Sequence, residues 1–261
     1  MNKTIKNIII WTLLIGYLIG GLSFTASRRH KQICTGIELI IKDTTQNIFI
    51  DRAEAITLIE SKKGKFLGYP LDSINVAQVE QTFNTHPAVK EAEAYKTANG
   101  LLKIELKQRN PIMRIYSSEG DDFYIDIEGA IMPLSDRYIT RVLVVSGNIP
   151  SIEVSPTSKK MIQDLPNDKQ ILKDIYRIGK FIWDNNFWKA QIEQVYINEN
   201  NEFELSTKVG MQQIILGKID KFEEKFNKLK TLYTEGFNYI GWTKYNKINL
   251  KFDGQVVCTK R

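Results

Sequence analysis

Residues 87–111 read PAVKEAEAYKTANGLLKIELKQRNP, and this stretch decides the fold. Val89 to Tyr95 and Leu101 to Lys107 are two strand-like runs joined by Thr97-Ala98-Asn99-Gly100. Asn-Gly is the strongest short hairpin signal because both residues tolerate positive φ. Working toward the N-terminus, Asp72 or Ser73 offers a cap for a helix through Val76, Val79 and Phe83. Pro87 closes that helix by denying the helical conformation to the residue before it. Further back, Asp51 precedes RAEAITLIE, where Ala53, Ile56 and Ile59 recur at helical spacing and Glu54 stands at the capping-box position. Gly36 to Lys42 is Ile-rich and alternates as a strand. The order strand, helix, helix, strand, strand predicts an α+β unit of roughly seventy residues with both helices on one face of a small sheet.

Working outward the other way, the texture after Pro111 is strands separated by turns. They are expected at Ile112–Tyr116, Phe123–Ile127, Val142–Ser146, Ile192–Ile197, Phe203–Thr207, Gln213–Leu216, Ile248–Phe252 and Gln255–Thr259. Two amphipathic helices interrupt them, about Lys169–Asp184 and Ile219–Tyr233, and their apolar stripes read as core.

At the other end, no charged residue occurs from Ile8 to Ser27. That run has the length of a bilayer-spanning helix, with Ile8, Trp11, Leu14, Tyr17 and Phe24 facing lipid. A cleaved signal peptide would be shorter and would carry a small-residue cleavage site, which the residues around Phe24 do not supply. Lys3 and Lys6 on one side nearly balance Arg28, Arg29 and Lys31 on the other, so charge alone does not orient the helix. A short tail followed by an anchor and then by everything that folds places the N-terminus in the cytoplasm. The expected division is a tail 1–7, a transmembrane helix 8–27, a linker 28–35, the α+β unit 36–109 and a β-rich domain 110–261.

Thirty-six basic and 30 acidic residues give a net charge of +6 in a 261-residue chain, but the bases are interspersed with acids. Nucleic-acid binding needs a concentrated basic face, so no nucleic-acid partner is expected. Lys62, Lys63 and Lys65 read as a solvated loop edge. Cys34 and Cys258 lack metal-ligand spacing and do not form a disulfide framework. His30 and His86 offer neither a metal pair nor a catalytic base, and no nucleophile elbow, P-loop, dinucleotide fingerprint or zincin motif occurs. Asp121, Asp122, Asp126 and Glu128 form an acidic group, which Gly120 and Gly129 mark as turns rather than a cation site. No catalytic, cofactor or metal site is expected.

Taken in order, these residues resemble the FtsQ/DivIB division proteins. His86-Pro87-Ala88-Val89 and the hairpin to Lys107-Gln108-Arg109-Asn110-Pro111 look like that family's "P-x-V … v-x-x-R-x-P" passage. Tyr124-Ile125-Asp126-Ile127-Glu128-Gly129 and Pro133-Leu134 look like its "yyvD-x-x-G … l" segment, and Ser146-Gly147 its following glycine. Ile248 to Phe252 and Gln255-Val256-Val257 are similar to its terminal strand pair, and the wording suggests the Bacteroidetes branch. The cytoplasmic tail is shorter than in relatives.

The resemblance implies that unit 36–109 is a POTRA-like β-α-α-β-β domain and that the protein is a bitopic inner-membrane scaffold enriched at the division site, not an enzyme. Its implied partners are FtsB-like and FtsL-like single-span proteins, with FtsK-like and FtsW-like proteins as further ones. The expected docking residues are Phe252, Gln255, Val256, Val257, Cys258, Thr259 and Lys260, because the sequence stops just past this strand and adds nothing to cover it. Lys225 and Lys228 of the preceding helix are expected as a second contact. Val89 to Tyr95 is a further candidate sheet edge. Another POTRA-bearing envelope assembly protein would need many more alternating strands after Arg109. A membrane-tethered hydrolase would need a site that the motifs do not reveal.

Overall fold

The computed structural model describes residues 3–29, 32–42, 49–135, 139–155 and 158–261, and divides the chain into two compact units. His30 and Lys31 lie outside the described residues, as do the side chains of Ile8, Phe24, Lys62 and Lys63.

The first unit opens with helix α1 (Lys3–Arg29). Its described apolar side chains stand open: Trp11 is 64%, Leu14 47% and Tyr17 82% exposed. Among the described residues no helix is long and apolar enough to cross a membrane. The expected span from Ile8 to Ser27 is therefore not supported by the described residues.

Strand β1 (Gly36–Ile41), helix α2 (Arg52–Lys63), a 3-10 turn (Leu71–Ser73), helix α3 (Val76–Asn84) and strands β2 (Val89–Lys96) and β3 (Leu101–Gln108) follow in the expected order. The sheet order is β1-β3-β2, with β1 parallel and β2 antiparallel to β3. Asp51 caps α2 as its side chain chemistry dictates, accepting the Glu54 N–H at 2.8 Å. The α3 cap is not Asp72 or Ser73, which are taken up in the 3-10 turn, but Asn75, whose Oδ1 accepts the Gln78 N–H at 3.2 Å. Gly100 closes the hairpin at φ +84. Both helices lay Ile59, Val79 and Phe83 against Leu102, Ile104 and Leu106 of the central strand, all at 0–1% exposure.

The second unit comprises β4 (Pro111–Ile115), β5 (Phe123–Asp126), β6 (Ala130–Met132), β7 (Leu143–Gly147), β8 (Lys160–Met161), α4 (Gln170–Asp184), α5 (Asn186–Gln191), β9 (Ile192–Ile197), β10 (Phe203–Thr207), β11 (Gln213–Gly217), α6 (Phe222–Thr231), α7 (Phe237–Ile240), β12 (Tyr245–Asn249) and β13 (Val257–Lys260). Its strands form one mixed sheet in the order β13-β12-β11-β10-β9-β7-β4-β5-β6-β8. Phe49 and Thr85–Ala88 also belong to this unit. Strands β6 and β8 and helix α5 are absent from the sequence reading. The helix expected to run to Tyr233 instead ends at Thr231 and passes through a π-turn, Leu232–Gly236, into α7.

The stripe of α4 buries Leu172, Ile175, Ile178 and Ile182 in the core. Each such side chain contributes about 1.5–3 kcal/mol on burial. Beside it, Trp188 packs edge-on to Phe226 at 5.0 Å and to Phe187 at 4.8 Å. This cluster ties α5 and α6 together and anchors the chain on its way to the last two strands.

Candidate functional site

The last strand pair starts from a crossover. β11 and β12 run parallel, so α6 and α7 must carry the chain back before β12 can pair. The chain then turns through Gly254, at φ +69, and β13 pairs antiparallel with β12. β12 lies earlier than the expected Ile248–Phe252 because the Asn249 side chain accepts the Lys251 N–H at 3.0 Å and bends the backbone away from the ladder. β13 begins at Val257, so Gln255 and Val256 precede it.

β13 stands at one end of the ten-stranded order and, among the described residues, pairs only with β12. The Arg261 N–H donates to the Lys244 carbonyl at 3.2 Å, which fixes the parity of the ladder. Alternation then turns the backbone N–H and C=O groups of Cys258 and Lys260 to the open side. The side chains divide in the same rhythm. Cys258 is half-buried against the core, and burial pushes its thiol pKa up. Val257 and Thr259 lie on the other face, with Val257 42% exposed. Phe252, at 46% exposure, adds a large apolar side chain beside the turn. An edge of free backbone groups flanked by exposed apolar side chains is a template for an added strand. Lys260 and Arg261 bring positive charge to it, and the Arg261 guanidinium also donates to the Gly210 carbonyl at 3.2 Å.

The two lysines of α6 part company. The Lys228 ammonium donates to the Phe252 carbonyl at 2.9 Å, so it holds the turn that presents the edge. Lys225 is 7% exposed and satisfies its ammonium on the Lys218 carbonyl at 2.8 Å and on Asp220 at 3.4 Å. It is a structural tie at the start of α6 and is not available as a docking contact.

β2 is also an edge strand, but its open side is occupied. Asn84 Oδ1 accepts the Ala92 N–H at 3.0 Å and Glu80 Oε1 accepts the Ala94 N–H at 2.9 Å. Helix α3 thereby consumes the donors that an incoming strand would need, one of the ways in which proteins guard edges. The expectation that Val89 to Tyr95 receives a partner strand is corrected accordingly. Glu80 and Asn84 were silent in the sequence because their targets are backbone atoms on another element.

The acidic group resolves into a turn and an ion pair. Asp126 Oδ1 accepts the N–H groups of Glu128 (2.9 Å) and Ala130 (2.7 Å), and Asp126 Oδ2 meets the buried Arg109 guanidinium at 2.5 Å. Glu128 meets the same nitrogen of Arg109 at 2.8 Å. Among the described residues no group of His, Cys, Asp and Glu is arranged to hold a metal ion. His86 is buried and accepts the Ala88 N–H through Nδ1 at 3.2 Å. Both cysteines are free.

The fold is a small α/β unit followed by a mixed sheet whose last strand, β13, has an open side. A model described as FtsQ/DivIB, C-terminal related, matches residues 110–259, more than half of the chain, and a POTRA-like domain model matches residues 32–107. The chain belongs to the FtsQ/DivIB C-terminal related family. This is a family of division-site membrane proteins whose members, like POTRA domains, act as non-enzymatic scaffolds through protein–protein contacts within the division complex. No curated protein matches the chain.

Proposed function

We propose that this protein is a bitopic scaffold of the bacterial division complex that recruits and links FtsB-like and FtsL-like single-span proteins, with FtsK-like and FtsW-like proteins as further partners. Residues 8–27 anchor it in the inner membrane, with tail 1–7 in the cytoplasm, linker 28–35, and the units 36–109 and 110–261 in the periplasm. The anchor is supported by the uncharged run and by apolar side chains exposed around α1, because a helix apolar on all sides needs an apolar surrounding.

The observation that carries the docking reading is the open side of β13. An FtsB-like segment pairs there with the Cys258 and Lys260 backbone, while Phe252 and Val257 supply apolar contact and Lys260 favours an acidic partner. Gln255, Val256 and Thr259 flank the same surface.

The experiment is Cys258→Pro in the full chain. The Cys258 N–H faces away from the β12 ladder, so proline there removes the donor offered to the partner without removing a ladder bond. Affinity for the extracytoplasmic segment of an FtsB-like partner is expected to fall at least tenfold, from one lost backbone hydrogen bond worth about 1–1.5 kcal/mol and the added ring. Circular dichroism and the melting temperature are expected to stay near the parent's. A folded variant that binds with unchanged affinity contradicts the docking site, and uniform envelope distribution of the parent in dividing cells contradicts the scaffold.

A further inference from the structure

Within the second unit, away from the β13 edge, a cavity of about 610 Å³ opens between β4, β7, α4 and β9 and the stretch 139–142. Its volume lies in the range of small-molecule sites, whereas protein docking surfaces are broad and shallow. Its walls carry an uneven charge. Among the described lining residues Arg114, Arg141, Lys189 and Lys208 are cationic and Glu193 alone is anionic.

The cations are held in place. Arg114 lies over the Tyr116 ring at 4.5 Å and is backed by Asp122 at 3.5 Å, and the Lys189 ammonium sits 3.2 Å from the centre of the Trp183 ring. Counting Asp122 and Glu193 against the four bases leaves an excess of two positive charges.

We infer that this cavity binds an organic phosphate dianion, with the phosphate held by Arg114, Arg141, Lys189 and Lys208 and the organic body against the apolar wall. A phosphate monoester carries a charge of about −1.5 to −2 at pH 7 and so matches the excess, whereas a carboxylate neutralises only half of it. Arg presents the fork that suits phosphate oxygens. The ester is either a free small molecule or a lipid headgroup.

The test is calorimetric titration of the full chain in phosphatidylcholine nanodiscs with phenyl phosphate, inorganic phosphate and benzoate. Phenyl phosphate is expected to bind at least about tenfold more tightly than either of the others, since each lacks one of the two features. The exposed double substitution Arg141→Gln/Lys208→Gln is expected to weaken phenyl phosphate by about tenfold, at unchanged melting temperature. Binding of phosphatidate-containing vesicles by the parent, lost in the double variant but with no phenyl phosphate binding, assigns the phosphate to a headgroup. Absence of both, binding of benzoate as tight as that of phenyl phosphate, or affinity unaltered by the double substitution overturns the proposal. None of these readouts involves β13, so the outcome is independent of the partner-docking result.

Discussion

Arg109→Ala is expected to destabilise the second unit by about 3–5 kcal/mol, the usual cost of leaving one member of a buried ion pair alone. Arg109 and Asp126 are each 2% exposed, and their side chains meet at 2.5 Å. Asp126 meanwhile spends its other oxygen on two backbone N–H groups of the turn into β6. Removing the guanidinium strands a carboxylate in the interior, and only the half-exposed Glu128 regains water. Set against a typical total stability of about 5–15 kcal/mol, this removes a large share, and the melting temperature should fall by roughly 6–20 °C. Removing both partners, as in Arg109→Met/Asp126→Leu, is expected to cost less than the sum of the single changes, because no charge is left unpaired. Thermal unfolding of the parent, Arg109→Ala, Arg109→Met, Asp126→Leu and the double variant decides it. A shift below about 2 °C for Arg109→Ala would show that the pair is not structural.

Gly147→Ala is expected to be comparably severe for a different reason. Gly147 ends β7 at φ +115, and a β-carbon there would lie 2.1 Å from the Ile197 carbonyl oxygen and 2.8 Å from the Ile197 nitrogen. Both obstacles are backbone of the neighbouring strand, so no rotamer change relieves the clash. The strand pair must separate at a point where the Asn148 N–H also donates to the Ile197 carbonyl at 2.8 Å. Positive φ adds about 1–2 kcal/mol for any L-residue, and overpacking about 1–3 kcal/mol. The variant should lose about 3 kcal/mol in denaturant unfolding. Parent-like stability would mean that β7 and β9 tolerate a looser register.

These two positions explain why the sequence was informative beyond its periodicities. The arginine two residues before Pro111, the aspartate three residues before Gly129 and the glycine after Ser146 were legible as a pattern, and the fold supplies the reason: a buried pair and a backbone approach closed to any side chain. The hairpin and the α4 stripe were legible because local chemistry fixes them. β6 and β8 span three and two residues, too few for alternation to register. α5 is six residues long, and its Asn185 cap, which accepts the Phe187 and Trp188 N–H groups, was its one available signal.

The candidate site was legible in part. That a strand lies near the end of the sequence follows from its pattern. Its place at the end of the ten-strand order follows from the parallel β11–β12 pairing, a long-range choice with no local trace. Lys225 was expected as a contact by analogy with the family's binding surface, although it sits three residues after Phe222, four before Leu229 and beside Phe226, on the stripe that faces the core. The guarding of β2 by Glu80 and Asn84 likewise appears only in three dimensions.

β13 is proposed as the surface that receives a partner strand, and amide hydrogen exchange of the full chain with and without an FtsB-like extracytoplasmic segment tests this most directly. The Cys258 and Lys260 amides, which face the open side, should exchange fast in the free protein and slow markedly on binding, while Ala92 and Ala94, already bonded to α3, should not change. Saturating binding that leaves Cys258 and Lys260 unprotected, with new protection confined to other strands, would contradict it.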